Sequence, residues 1–379
     1  GVSETLPNTE QASEVIALTL AQHPTAQNVL VVGGDSLGIC LRLRELPQIR
    51  DVVWLHPDPA YPRAVLQVLP AAAMATAKEL DVPVDEVRAY LQAQPRRFDL
   101  VLLNLPDPTT LVLNRYWSSE FFGFVKESLT EGGVVCTRFT GAANYMGDER
   151  VYLGCSALTT LKSVLQNVVL KPGNESWLIA SDGASLSTAP AELRDRFAGI
   201  AGAAEIYPAE GLMSLYAPDR IQFQLEKYTQ AAASVDSALL VNRDQRPNSL
   251  VFSLLLALRR TTPLSFARHV PVLWAGGIWM VACPIVIYGL LRVLYMLAPR
   301  GGRAAAESVI AAGAFDGRVL VFATGLAGMS LSIVLMFQYQ SQFGSLFLDI
   351  GLISALFMFG SFVGSLLGER LVRRPGRLL

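Results

Sequence analysis

The sequence predicts an α/β domain, with a mostly parallel sheet covered by helices on both faces, followed by an all-α membrane part. Three observations lead there. Short apolar runs that end in glycine, proline or acidic turn residues alternate with stretches of helical spacing through residues 1–245. The runs are nearly continuous in apolar residues, as strands buried on both faces are. From Val270 onward charges thin out and long apolar stretches take over.

The elements follow in order. Asn28–Gly34 (NVLVVGG) is a first strand that ends in paired glycines, and SLGICLRLREL after it has helix-like spacing that stops before Pro47. A second strand, Asp51–Leu55, runs into His56-Pro57-Asp58-Pro59. A third, Phe98–Leu103, runs into Asn104-Leu105-Pro106-Asp107-Pro108, and Glu120–Leu129 then has a helical pattern. Gly132–Cys136 is a fourth strand. In such sheets ligands bind at the carboxyl ends of strands. The glycine turn, His56–Asp58 and Asn104–Asp107 all fall there.

Residues 246–269 are expected as an amphipathic linker, and residues 270–379 as a membrane domain of about three helices. Val270–Leu291 has no charge over a length that crosses a bilayer. The second span is 319–337, and the third is 346–367, with Asp349 near its start. Trp274, Trp279, Tyr288 and Tyr295 are candidate interfacial anchors. Gly360, Gly364 and Gly368 share one helical face, where small residues let another helix approach closely. Arg300, Arg303, Arg318, Arg373, Arg374 and Arg377 outnumber Arg259, Arg260 and Arg268 near span ends. The positive-inside rule then leaves the globular domain on the extracytoplasmic side.

Composition narrows the function. The chain has 379 residues and a net charge of −1, with no basic stripe interleaved with aromatics, so no nucleic-acid partner is expected. Cys40, Cys136, Cys155 and Cys283 are scattered without CxxC spacing or nearby histidines, so they are expected as small apolar residues rather than metal ligands. His23 and His269 stand alone and receive no role. The chain begins at Gly1 without a signal-peptide pattern, which is expected of a truncated or processed end.

A series of segments resembles the spermidine synthases, the polyamine aminopropyltransferases. They are VLVVGG, WLHPDP, RAYL (Arg88–Leu91), FDLVLLNLPDPTT, NRYWSSEFF (Asn114–Phe122), TEGGVV, Asn144-Tyr145, TLKSVLQNVVLKPGNESWLIAS (Thr160–Ser181) and LLVNRDQRP (Leu239–Pro247). Together with FQYQSQFG and the glycine-rich last span, the chain looks most like the multi-spanning bacterial proteins that join such a domain to membrane helices. The resemblance implies a Rossmann-like sheet of the AdoMet-dependent methyltransferase/spermidine synthase type. It places the protein in the bacterial inner membrane. It also implies an amino-terminal β-hairpin domain and further spans that this sequence lacks, so that a second chain could supply them.

The implied reaction moves an aminopropyl group from decarboxylated S-adenosylmethionine to an amine, which must lose a proton to attack. Carried onto this sequence, the nucleoside pocket comprises Gly33, Gly34, Gly38, His56, Asp58 and Glu86. The family turn GGGDGG reads Gly33-Gly34-Asp35-Ser36-Leu37-Gly38. The ribose-binding acid is replaced by His56, and the catalytic aspartate by Asn104, which has no usable basicity. Asp107 is retained. Each residue also has a plain structural explanation: Asn104 as a loop cap, Asp107 as a turn residue before Pro108, His56 as a loop residue.

The expectation is therefore a catalytically degenerate, membrane-anchored subunit of a larger complex. Membrane lipid and other membrane-protein subunits are its partners, and no cofactor or metal is expected. An active aminopropyltransferase, or another nucleoside-dependent transferase, is the alternative. A polyamine-sensing or transport-related subunit is the third.

Overall fold

The computed structural model describes residues 9–69, 73, 77, 80–258, 267–297, 305–343 and 347–372. Six strands form one sheet: β1 (Asn28–Val32), β2 (Asp51–Leu55), β3 (Phe98–Leu103), β4 (Leu129–Thr140), β5 (Asn167–Lys171) and β6 (Glu175–Ser181). Their order is β2-β1-β3-β4-β6-β5. The first four strands are parallel. β6 then runs antiparallel to β4, and β5 antiparallel to β6. The sheet is thus mixed, and its antiparallel pair was not read as strands from the sequence. Gly173, with φ of 140°, turns the chain between β5 and β6.

Strand alternation divides the core in two. Leu30, Val32, Val53, Leu55, Val101 and Leu103 face one side, under the helices Val87–Gln92, Ser119–Ser128, Asp148–Lys162 and Asn248–Leu258. Val29, Val31, Val52, Trp54, Leu100 and Leu102 face the other, under Thr9–Leu20, Leu37–Leu43 and Pro190–Ala198. Both faces of the parallel strands are dry, which is why their sequences lack polar alternation.

Asp99 fastens the amino-terminal ends of three strands. Its carboxylate accepts from the backbone N–H groups of Gln27 and Asn28 at 3.0 and 2.9 Å, and from the Thr130 hydroxyl at 2.9 Å. Burial works against its charge, yet these hydrogen bonds outweigh burial and hold the carboxyl below its ordinary value. At the opposite ends the strand order diverges: β1 leads outward to β2, and β3 leads the other way to β4. A crevice between the β1 and β3 loops follows from that reversal.

The stretch expected as a linker is largely part of this unit. Asn248–Leu258 is a helix packed on Asp148–Lys162, and its Phe252 is fully buried and stacked on Tyr152 with ring centroids 5.5 Å apart. Asn114 Oδ1 accepts from Leu250 N, and Asn242 Oδ1 from Ser249 N, so neighbouring loops cap its first turn. An apolar helix with one buried aromatic joins a core rather than spanning a gap. The compact unit accordingly extends through Val272, and a second unit comprises Leu273–Leu379.

The second unit contains the helices Ile278–Leu297, Ala305–Phe343 and Phe347–Val372. The second expected span and the described residues of the third fall within single helices, whereas the first, Val270–Leu291, is divided between Val270–Ala275 and Ile278–Leu297, with Gly277 at φ of 43° in the break. Among the described residues, Asp316–Met336 alone is both long and apolar enough to cross a membrane by length and composition. Ile285–Tyr295 and Ser354–Gly364 are shorter apolar segments. An ion pair ties the first two helices: Arg292 Nη2 lies 2.8 Å from Asp316 Oδ2, and Tyr288 donates to Asp316 Oδ1 at 3.0 Å. Gly328 admits the ring of Phe357, which would lie 3.3 Å from an added Cβ. An added Cβ at Gly360 or Gly364 would meet nothing within 4 Å, so those two glycines face open space. The surroundings of Gly368 and Asp349, and Arg259, Arg260, Arg300, Arg303, Arg373, Arg374 and Arg377, lie outside what is described.

Candidate functional site

The loops after β1 and β3 meet at a contact that requires glycine. Gly33 has φ of 128°, and an added Cβ would fall 2.1 Å from the Asn104 backbone oxygen. The two loops cross in van der Waals contact only because residue 33 has no side chain. Backbone hydrogen bonds set the crossing, with Asn104 N donating to Val32 O at 2.8 Å and Gly33 N to Leu55 O at 2.9 Å. Trp54 Nε1 adds a donor to Gly33 O at 3.0 Å.

Asn104 completes the junction with its side chain. Its amide nitrogen donates to Gly34 O and Asp35 O, both at 3.2 Å, and to Ser36 Oγ at 3.0 Å. The residue is 2% exposed. All three neighbours are oxygens, so this position selects a side chain that donates. A carboxylate would instead oppose two carbonyl oxygens, and only the Ser36 hydroxyl could turn to meet it. The same hydrogen bonds hold Asp35, a residue other than glycine, at φ of 52°. Asn104 thus links the β1 and β3 loops through its amide nitrogen, while its Oδ1 is buried without a hydrogen-bond partner among the described residues. Ser36, its third acceptor, had not been singled out.

His56 reaches this junction from β2. An added Cβ on Gly34 would lie 3.5 Å from His56 Nε2, so the imidazole covers the glycine turn. Its Nδ1 accepts from Asp58 N at 2.9 Å, and the ring stacks on Tyr61 with centroids 4.1 Å apart. Nδ1 also lies 3.1 Å from Asp58 O, to which a protonated Nδ1 would donate, so both tautomers find a partner in the Asp58 backbone. Burial lowers the ring's proton affinity, opposed by the Asp58 backbone and charge. A neutral imidazole offers a single free ring nitrogen where a carboxylate would offer two acceptor oxygens to a diol. Asp58 itself turns back to accept from Ala60 N at 3.0 Å.

Glu86 is occupied by the fold. Its carboxylate caps the helix Val87–Gln92, accepting from Arg88 N and Ala89 N at 2.9 and 3.1 Å. The Tyr116 hydroxyl donates to it at 3.2 Å, and Arg115 lies 3.8 Å away. Gly38 is buried in the first turn of Leu37–Leu43. The structure thus brings Gly33, Gly34, His56 and Asn104 together, while the polar contacts of Asp58 are within its own loop and those of Glu86 are with the helix it caps and with Arg115 and Tyr116.

Asp107 differs from these. One oxygen accepts from Thr140 N at 2.9 Å, which joins the β3 loop to the end of β4. The residue lines two cavities, of about 490 and 540 Å³. Arg138 and Glu175, 3.3 Å apart, line the larger. Arg150 and Ser253 line the smaller; neither was singled out from the sequence, since Arg150 stands in an ordinary charged first turn after Asp148 and Glu149, and Ser253 is a lone polar residue in an apolar helix. Elsewhere Cys136 and Cys155 are buried, and burial pushes the Cys155 thiol up to about 11.

Comparison with known proteins bears on this geometry. Residues 10–150 match the model of the spermine/spermidine synthase domain. The polyamine aminopropyltransferase of Mycobacterium tuberculosis (strain CDC 1551 / Oshkosh) is 33% identical over 117 residues, covering 29% of this chain and 22% of that protein. The polyamine aminopropyltransferase of Bacillus cereus (strain ATCC 10987 / NRS 248) is 24% identical over 123 residues, covering 32% of this chain and 44% of that protein. The chain thus spans less than half the length of these curated relatives. Among solved structures, spermidine synthase from Thermotoga maritima covers 57% of this chain and 75% of its own, with a TM-score of 0.42 and 16% identity. Human methyltransferase-like protein 13 in complex with SAH covers 56% and 93%, with a TM-score of 0.38 and 17% identity.

Two outcomes follow from the site. Asn104→Asp is expected to destabilise the globular unit by about 1–3 kcal/mol at neutral pH, because a buried acceptor loses its donors. Its carboxyl has a raised affinity for protons, so the deficit should shrink as pH falls; urea unfolding across pH measures this. For His56, an NMR titration should give a midpoint below the ordinary 6.5. Its folded-state value is lowered, so its contribution to stability is present above 6.5 and is lost as pH falls below it.

Proposed function

We propose that this chain is a membrane-anchored, spermidine-synthase-like protein that has lost aminopropyl transfer and serves as a docking or binding subunit of a membrane complex. One observation carries the loss of chemistry: the Asn104 amide is buried against Gly34, Asp35 and Ser36, where neither the amide nor its pocket can take a proton from an amine. A missing general base alone costs roughly 10²–10⁴-fold in rate. Replacement of the ribose-binding acid by a neutral His56 weakens the nucleoside's hold as well. These two changes sit on different loops and oppose the same reaction.

The apolar stretch Asp316–Met336 supports the anchor. Arg292, within the apolar segment Ile285–Tyr295, pairs with Asp316 at the start of the longer stretch, so neither charge is left unpaired. Open space at Gly360 and Gly364 suits close packing by helices of another subunit. The bacterial inner membrane, with the globular domain on the extracytoplasmic side, is the placement favoured by the arginine distribution. An active transferase is the second reading, favoured by Asp107, whose carboxylate still lines two cavities at the carboxyl end of β3.

Release of methylthioadenosine from decarboxylated S-adenosylmethionine and putrescine separates the two. We expect none above background from the native chain, and none from Asn104→Asp, whose new carboxylate faces carbonyl oxygens. Turnover by the native chain that falls away in Asp107→Asn would establish the transferase.

A further inference from the structure

We infer that the cavity of about 580 Å³ lined by the helices Asp148–Lys162 and Pro218–Ala233 and the turn Ala267–His269 binds the headgroup of an anionic phospholipid. The inference rests on the membrane anchor proposed above and is independent of whether aminopropyl transfer is lost. The cavity lies wholly in the globular unit, whose last residue, Val272, is part of its wall. No Asp, Glu, Lys or Arg occurs between Arg268 and Arg292, so the chain passes from the cavity wall directly into its first long uncharged stretch. Basic side chains at such a boundary meet lipid headgroups before any other ligand.

The wall carries more positive charge than negative. Its fixed charges are Lys227, Arg268 and Asp148, with His269 beside them. Arg268 engages Asp148 through Nη2 at 2.7 Å, and its side chain is 63% exposed, so the rest of the guanidinium fork stays available. Among the described residues the Lys227 ammonium has no ion-pair or hydrogen-bond partner, and neither has the Gln230 amide beside it. Lys227 is half-buried, where a charge gains more from a partner than on open surface. A phosphodiester brings the single negative charge that the wall lacks, with oxygens that accept from both cations and the amide. A choline headgroup would add a cation facing Lys227 and Arg268.

The remaining wall is apolar. Met146, Val151, Ala231, Val235 and Val272 would pack against the glycerol and first acyl carbons, which a free phosphate ion does not have. The basic residues are also fixed in place. Ala267 and Val270, on either side of Arg268 and His269, are buried in the core at 0 and 7% exposure. The two side chains are thus presented from an anchored turn rather than a free linker, which lowers the cost of ordering them around a headgroup. Charge, apolar lining and position in the chain point to one occupant, a lipid with a phosphodiester headgroup and no cation of its own.

Native mass spectrometry of the full chain in detergent, offered phosphatidylglycerol and phosphatidylcholine in equal amounts, counts each lipid that stays bound. We expect phosphatidylglycerol to be retained at least about tenfold more, since each cation adds a severalfold preference for an anionic lipid. Lys227→Gln combined with Arg268→Gln should abolish that preference. Lys162→Gln, which removes an exposed cation from the far end of the helix Asp148–Lys162, should leave it unchanged. Equal retention of the two lipids by the native chain would overturn the inference while leaving the anchor standing. A preference that survives the double substitution would overturn it too. So would displacement of the lipid by an equal concentration of glycerol phosphate, which would assign the cavity to a soluble phosphate ester. A native chain that stays dispersed without detergent and retains neither lipid would remove the anchor, and the inference with it.

Discussion

The architecture of this site depends on the contact between Gly33 and residue 104. The chain leaves β1 and β3 on neighbouring strands and must separate toward opposite halves of the sheet. A missing side chain at Gly33 lets the loops touch, and the Asn104 amide then satisfies the oxygens that the tight turn exposes. The strained backbone of Asp35, the covering imidazole of His56 and the buried Trp54 all gather around that contact. An amide here is a requirement of packing. In the function proposed here, the position that the family resemblance assigns to a general base is occupied by a donor.

Much of the sheet was legible because parallel strands are buried on both faces and cannot hide in polar alternation. The four parallel strands fell where apolar runs end in turn residues. The β5–β6 pair was missed for a local reason: NVVLKPGNESWLIAS contains Lys171, Pro172, Gly173 and Asn174, a turn between two ordinary strands, within a segment read only as a family match. The helix Asn248–Leu258 was read as a linker because Phe252 needs a partner, Tyr152, a hundred residues earlier in the chain. Long-range pairing of that kind leaves no local signal.

The site was legible in its outline and not in its roles. Strand-end loops identified Gly33, Gly34, His56 and Asn104 as neighbours. That Asn104 would face three oxygens, or that Glu86 would be consumed by capping Val87–Gln92, depends on side-chain geometry that no spacing encodes. Lys227 and Arg268 gain meaning only from the cavity they share, because they come from two elements with no pattern in common. Charge tells the same story: a net of −1 says nothing of two cations lining one cavity.

Calorimetric titration of the native chain with methylthioadenosine tests the central claim most directly, because it asks whether the junction around Asn104 and His56 still admits a nucleoside. Heat indistinguishable from dilution up to millimolar ligand is the result expected of a turn closed by the Asn104 amide and covered by a neutral imidazole. Saturable binding in the micromolar range would contradict it, and would mean that the nucleoside pocket is intact despite the Asn104 amide.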